Sequence, residues 1–322
     1  MADILQVFEM EFTEIERRLT GRFEAHTPFV NEVCEYIVKS GGKRIRPLLT
    51  VLFARLCGRE DQQVFELSVV PEYLHSASLL HDDVIDEGEM RRNLPPAYKL
   101  WGNKATILAG DFLYAKAIYI AAEFGIAEIA SVIAKTVALM SEGEIIQLLN
   151  SKTPELTQQM CHRIIDRKTG ALIAASCQIG AILAGADITQ VELAKNYGMA
   201  VGAAFQIADD LLDYSADSEA LGKKVGTDLK EGKLTFPVVL AREAASSSDR
   251  ERLERILFSR QADEQEIVWV RSLLASTGAL QKAQEKAMAF AAQAITCLQG
   301  FEDNITRIQL ENIARFVVER TR

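Results

Sequence analysis

Apolar residues recur at spacings of three and four along almost the whole chain, in stretches rich in Ala, Leu, Ile, Glu and Gln, and no β-branched alternating segment bounded by turns interrupts them. That period commits the chain to helices that each bury one face, an all-α architecture. Prolines number only 7, and the breaks fall where turn residues gather: SGGKRIRP (40–47), EGEMRRNLPP (87–96), the Thr153-Pro154 pair, ADSEALGKKVGTDLKEGK (216–233) and SSSD (246–249), whose Ser and Asp supply N-caps. None reads as an interdomain linker. Although 322 residues is long enough for two domains, the motif placement described below leads to the expectation of one, spanning 1–322.

Composition narrows the function classes. With 48% hydrophobic and 25% charged residues the chain buries a large core, and a net charge of −9 argues against non-specific nucleic-acid binding. The five cysteines, Cys34, Cys57, Cys161, Cys177 and Cys297, are scattered, odd in number and without a CxxC, so neither a zinc site nor a disulfide framework is indicated and a reducing cytoplasm fits. MADILQVFEMEFTEIERR at the N-terminus is acidic and amphipathic, unlike a secretory signal. The longest uncharged run, ALIAASCQIGAILAGA (171–186), falls short of the about 20 apolar residues a membrane span needs, so a buried core helix, and no transmembrane segment, is expected.

Two segments, LLHDDVID (79–86) and IADDLLDY (207–214), are alike: each is an apolar helix end carrying Asp, Asp and then a third Asp three residues later. Helical spacing stacks Asp82 on Asp86 and Asp209 on Asp213, with Asp83 and Asp210 beside them. Like charges so placed repel unless a cation compensates, and Mg²⁺ suits an all-oxygen site of a few carboxylates completed by water and substrate phosphates. Either cluster alone could be a solvated face. Two copies, each preceded by apolar helix and separated by chain enough for several helices, suggest facing helices of one bundle.

Basic residues are patterned too. Lys43, Arg44 and Arg46 follow Gly41-Gly42, with Pro47 near the start of the next helix, and a glycine turn at a helix N-terminus suits a diphosphate. Arg91-Arg92 after the first acidic cluster, Lys168 after an apolar helix, and Lys223, Lys224 and Lys233 after the second add further cations. Each lysine alone reads as a surface residue. Together, two carboxylate sets and two basic sets describe a site for two diphosphates.

GGKRIRP, ExxH at Glu72 to His75, DDxxDxxxxRR at 82–92, GDFL at Gly110 to Leu113, GExxQ at Gly143 to Gln147, the Lys168-Thr169 pair, and FQxxDDxxD at 205–213 followed by GKxxGxD and GKxTxP give the chain its likeness to a known family. The sequence resembles the trans-isoprenyl diphosphate synthases, and more narrowly the long-chain octaprenyl and solanesyl enzymes that make quinone side chains. The motifs run from Gly41 to Pro237. Departures are local: Asn93 where Gly is usual, Cys161 where Tyr is common, and Gly170 where Ala often follows the Lys-Thr pair.

The resemblance implies a helical bundle of the isoprenoid synthase type around a central active-site cavity, a cytoplasmic homodimer, and a Mg²⁺-dependent 1'-4 condensation of isopentenyl diphosphate with an allylic diphosphate, farnesyl or similar. It implies three Mg²⁺ ions per site with substrate bound. Lys43, Arg46, His75 and Arg92 would hold the isopentenyl diphosphate, and Arg91, Lys168, Lys223 and Lys233 the allylic one. Asp82, Asp86 and Asp209 would be the main metal ligands, with Asp83, Asp210 and Asp213 in the second rank. Thr169, Gln206 and the ring of Phe205 are candidates to stabilise the allylic cation, Phe205 being equally a core residue and His75 having the alternative of a hydrogen-bonded core histidine. His26, His81 and His162 carry no assignment.

Product length hangs on the turn before Asp82. Ala77 and Ser78 are small where short-chain relatives often place an aromatic stop, so an open tunnel and a product of more than four isoprene units, around eight, are expected, unless the small residues only serve helix packing. A di-iron bundle would need a second ExxH, a terpene cyclase would not need GGKRIRP with Arg92, and a non-catalytic synthase subunit would have lost carboxylates that are all retained here.

Overall fold

The computed structural model describes residues 6–21, 23, 25–88, 90, 94–150, 157–214, 226–230, 232–233, 235–259 and 262–319, without the side chains of residues 227 and 230. Among these residues there is no strand, and the all-α expectation holds. By contact the chain divides into two compact units, one of Met1–Val137, Ala175–Lys195 and Phe301–Thr306, the other of Ala138–Ala174, Asn196–Gly300 and Arg307–Arg322.

The first unit contains α1 (Glu9–Gly21), α2 (Pro28–Lys39), α3 (Ile45–Leu56), α4 (Gln62–Asp86) and α5 (Ala97–Glu123). α4 packs along α5 and against α3, and α1 and α2 close over them. Its start is set by Asp61, whose side chain accepts from the backbone N–H groups of Gln63 and Val64. Pro71 lies inside α4 and the helix runs on through it, since Leu67, Val70, Tyr73 and Leu74 around it are buried and tertiary packing outweighs the lost hydrogen bond. Tyr73 anchors the other side by donating to the Leu19 carbonyl at 2.8 Å and stacking on Phe23. α2 ends at Lys39 and α3 begins at Ile45, and α4 ends at Asp86 and α5 begins at Ala97, so the breaks expected at 40–47 and 87–96 each fall at helix boundaries.

α5 carries the GDFL motif, and by length and composition it is the one helix among the described residues that could cross a membrane, with 39% of its apolar window buried. Gly102, at φ 79°, breaks its regular geometry near the start. Beyond the break Ile107, Leu108, Ile118 and Tyr119 are exposed, and the step of eleven residues between the pairs keeps them on one face.

α6 (Ala127–Asn150), α8 (Ala171–Leu183) and α9 (Ile188–Leu212) each contribute residues to both units. α8 is the buried helix expected from the uncharged run. In the second unit, α7 (Gln158–Ile165) passes into a π-helical turn, Asp166–Gly170, before α8. The short α10 (Thr227–Lys230) precedes α11 (Phe236–Ala244), α12 (Ser247–Ser259), α13 (Glu264–Ser276) and α14 (Ala279–Cys297), and α15 (Ile305–Glu319) ends the described chain. α11 packs on α7, α12, α13 and α14. The seam of α14 is alanine at 279, 283, 287 and 291, all buried, which lets the helix lie close to α11. His162 fills the space between the rings of Phe236 and Phe290, where burial and the Lys286 charge lower its pKa. Ser246 caps α12 by accepting from the Asp249 N–H, as the SSSD turn implied. Thr153-Pro154 and most of 216–233 lie outside the described residues.

Candidate active site

In the first unit the predicted residues sit on the turn before α3 (Lys43), on the first turn of α3 (Arg46) and on the second half of α4. Lys43 and Arg46 are half-buried, as is His75, which lies seven residues before Asp82 on the same face of α4. The three aspartates at the end of α4 differ: Asp86 is exposed, Asp82 half-buried, and Asp83 only 5% exposed. Burial first, then the Asp83 charge, raises the pKa of Tyr36, so Asp83 faces protein while Asp82 and Asp86 keep access to solvent. His81, between the apolar run and Asp82, approaches the Ile107 carbonyl at 3.1 Å and Asp111 at 3.4 Å. Its ring occupies the place a β-carbon on Gly110 would take, which explains why glycine stands in the GDFL motif. Ala77 is fully buried, and Ser78 is half-buried and donates its hydroxyl to the His75 carbonyl.

The second unit assembles a hydrogen-bonded chain around the π-turn. Thr169 Oγ1 donates to Gln206 Oε1 at 2.9 Å, Gln206 Nε2 donates to Asp210 Oδ1 at 2.9 Å, and the Phe236 N–H donates to Asp210 Oδ2 at 3.0 Å. Asp210 thus has both oxygens engaged by protein, and burial pushes its pKa up to about 7, against the lowering effect of the Gln206 and Phe236 bonds. Asp209 beside it is exposed. Asp213, one residue past the end of α9, accepts from the Asp228 N–H at 3.2 Å. Next to Asp210, Tyr214 is buried and shares a hydrogen bond of 3.1 Å with Thr235.

Lys168 lies in the π-turn, an irregularity often found at functional sites, and its Nζ meets Glu144 Oε2 at 2.6 Å. The GExxQ motif therefore supplies the carboxylate that holds this lysine, a pairing the spacing alone did not announce. Its glycine has a backbone reason: a β-carbon on Gly143 would come within 2.8 Å of Arg167 Cβ and 3.0 Å of the Lys168 nitrogen. Phe205 and Lys233 are half-buried. Arg91, Arg92, Lys223 and Lys224 lie outside the described residues.

Among the described residues no three His, Cys, Asp or Glu side chains form a group that could hold a metal ion on their own. The donors at hand, Asp82 with Asp86 and Asp209 with Asp213, are hard oxygen pairs four residues apart on helix ends. Such pairs suit Mg²⁺, which keeps several waters and takes one or two carboxylates together with substrate phosphates rather than a full protein cage.

Comparison with known proteins supplies the setting. Residues 27–274 match the family model described as polyprenyl synthetase. The chain is 34% identical to octaprenyl diphosphate synthase of Escherichia coli (strain K12), covering 99% of this chain and 98% of the relative. It is 36% identical to a short chain isoprenyl diphosphate synthase of Methanothermobacter thermautotrophicus, covering 99% of each. Among solved structures, a polyprenyl synthase from Caulobacter crescentus CB15, complexed with calcium and isoprenyl diphosphate, superposes with a TM-score of 0.92 at 35% identity, over 99% of this chain and 97% of that one.

Proposed function

The chain belongs to the polyprenyl synthetase family, and from that membership we propose that it joins isopentenyl diphosphate to an allylic diphosphate, head to tail, to build a long all-trans polyprenyl diphosphate for a quinone side chain. The observation that carries the reading is the pair of motifs at the ends of α4 and α9, each with solvent-accessible aspartates beside one buried aspartate, in a chain that matches this family over residues 27–274. Relatives of similar identity include both an octaprenyl and a short chain enzyme, so overall likeness does not choose the length; the small Ala77 and Ser78 favour a long product, around eight units.

In this reading Lys43, Arg46, His75 and Arg92 hold the isopentenyl diphosphate, and Arg91, Lys168, Lys223 and Lys233 the allylic diphosphate. Asp82, Asp86 and Asp209 hold Mg²⁺, with Asp83, Asp210 and Asp213 in support; a neighbour's complex with calcium and isoprenyl diphosphate makes a divalent cation apt for the fold. Bound Mg²⁺ supplies positive charge to the leaving diphosphate. As the allylic C1–O bond breaks, its electron pair leaves with the diphosphate, and Lys168 exchanges Glu144 for that anion. Thr169 Oγ1 and Gln206 Oε1 keep lone pairs beyond their mutual bond, and Asp210 fixes the amide so that its oxygen, rather than its nitrogen, faces Thr169. These dipoles stabilise the allylic cation. The isopentenyl double bond attacks C1, and the proton lost from the resulting cation goes to the departing diphosphate.

Each contact unit is stitched from three separate segments, and α6, α8 and α9 contribute residues to both, which supports the reading of 1–322 as a single domain. The exposed apolar face of α5 supports a homodimer, and the five free cysteines fit the reducing cytoplasm as its compartment. The test is incubation of the purified protein with farnesyl and isopentenyl diphosphates and Mg²⁺, followed by mass analysis of the dephosphorylated product. A linear prenyl alcohol of more than four units is expected. Diphosphate release with a cyclised hydrocarbon, or no chain growth, overturns the reading.

A further inference from the structure

Arg44 stands between Lys43 and Arg46 in the GGKRIRP turn, where a third cation would ordinarily be one more solvated or anion-binding group. The structure gives it a different character. It is only 5% exposed and adopts the left-handed conformation at φ 47°, a strained position for a side-chain-bearing residue that persists only where its surroundings impose it. The surroundings do so through its guanidinium: Nε donates to Glu16 Oε1 at 2.6 Å, Nη1 to Glu72 Oε1 at 2.7 Å, and Nη2 to the Val38 carbonyl at 2.5 Å. These acceptors belong to α1, α4 and α2, while the backbone carbonyl of Arg44 accepts from Leu48 to open α3. One planar fork therefore joins the turn to three helices, which a lysine with a single ammonium could not do.

We infer that Arg44, through its buried ion pair with Glu72, is the positioning residue of the isopentenyl diphosphate pocket, an inference that rests on the function proposed above. Glu72 is itself buried and lies three residues before His75 on α4, so the pair connects the turn bearing Lys43 and Arg46 to the turn of helix bearing His75. The cations that flank Arg44 meet the substrate; Arg44 sets where they stand. Removing one member of a buried pair leaves the other charge uncompensated, so the turn must rearrange.

The test is steady-state kinetics of Arg44→Lys and Glu72→Gln, with Lys43→Ala as reference for the pocket. Arg44→Lys and Glu72→Gln are each expected to raise KM for isopentenyl diphosphate about tenfold or more, since misplacement by about 1 Å can cost a hundredfold, while kcat and the KM for farnesyl diphosphate change by less than about threefold. The double variant should be no worse than the weaker single, as expected of one coupled unit. Glu72→Gln keeps the acceptor oxygen and the volume of the side chain, so it decides the matter if Arg44→Lys fails to fold. Equal rises for both substrates, or a fall in kcat alone, would mean a merely structural role and overturn the inference. If Lys43→Ala leaves the isopentenyl KM unchanged, the pocket assignment fails; if Lys43→Ala raises it and the Arg44 and Glu72 variants do not, only the positioning role fails.

Discussion

At the scale of single residues, the six aspartates are not equivalent. Asp83 and Asp210 are buried and Asp210 is wholly engaged by protein donors, whereas Asp82, Asp86, Asp209 and Asp213 keep some solvent access. Asp82→Ala and Asp209→Ala are each expected to lower kcat by at least about a hundredfold, the scale of losing one charge-stabilising group, with helical circular dichroism unchanged because a repulsive carboxylate is removed. Near-normal turnover in either variant, with Mg²⁺ still required, would refute the metal assignment. Ala77→Tyr tests product length. Ala77 is fully buried on the helix that carries Asp82, so a phenol ring there either enters a tunnel or overpacks the core at a cost of about 1–3 kcal/mol. Products of three or four units with an unchanged melting temperature are expected, whereas unchanged long products from a folded variant would show that the growing chain does not pass this residue.

At the scale of elements, glycines set the approach of α9 to the π-turn and the start of α8. A β-carbon on Gly202 would lie 2.6 Å from the Gly170 Cα, and one on Gly198 would collide with the backbone of Ala174. Backbone cannot move aside as a side chain can, so Gly202→Ala is expected to destabilise by about 1–3 kcal/mol and to impair the Thr169–Gln206 pair that this packing supports. Gly170→Ala is the contrast. Its β-carbon would meet the flexible Met199 thioether at 3.2 Å, so the variant should keep its melting temperature or gain about 0.4–1 kcal/mol from a less mobile unfolded chain. Thermal melts of the two variants side by side check the asymmetry, and a Gly170→Ala loss as large as that of Gly202→Ala would contradict it.

At the scale of the whole molecule, the two tryptophans fall in different contact units, Trp101 against Tyr36 and Trp269 beneath Arg252. Single-tryptophan variants Trp101→Phe and Trp269→Phe then report each unit separately. Coincident fluorescence midpoints in denaturant are expected of one domain, and separated midpoints would divide it. The exposed stripe of α5 predicts assembly: light scattering should give twice the 35.7 kDa of one chain, and Leu108→Glu or Tyr119→Glu should return it to one. Persistence of the dimer in both variants would move the interface elsewhere.

Helical period, turn residues and the spacing of charges are local properties, and they determined the all-α class, the main breaks at 40–47, 87–96 and 246–249, and which carboxylates and cations stand out as candidates. Helix phase already places Asp82 over Asp86, because it depends only on a rise and a rotation repeated along one segment. Burial is different, since it depends on what other segments bring to the same place. Only the tertiary structure buried Asp210 while leaving Asp209 exposed, paired Lys168 with Glu144, carried α4 through Pro71, and turned Arg44 from one of three similar cations into the buried tie between a turn and three helices. Each of those outcomes was decided by partners distant in the chain, whose arrival removes water from one charge and leaves its sequence neighbour solvated.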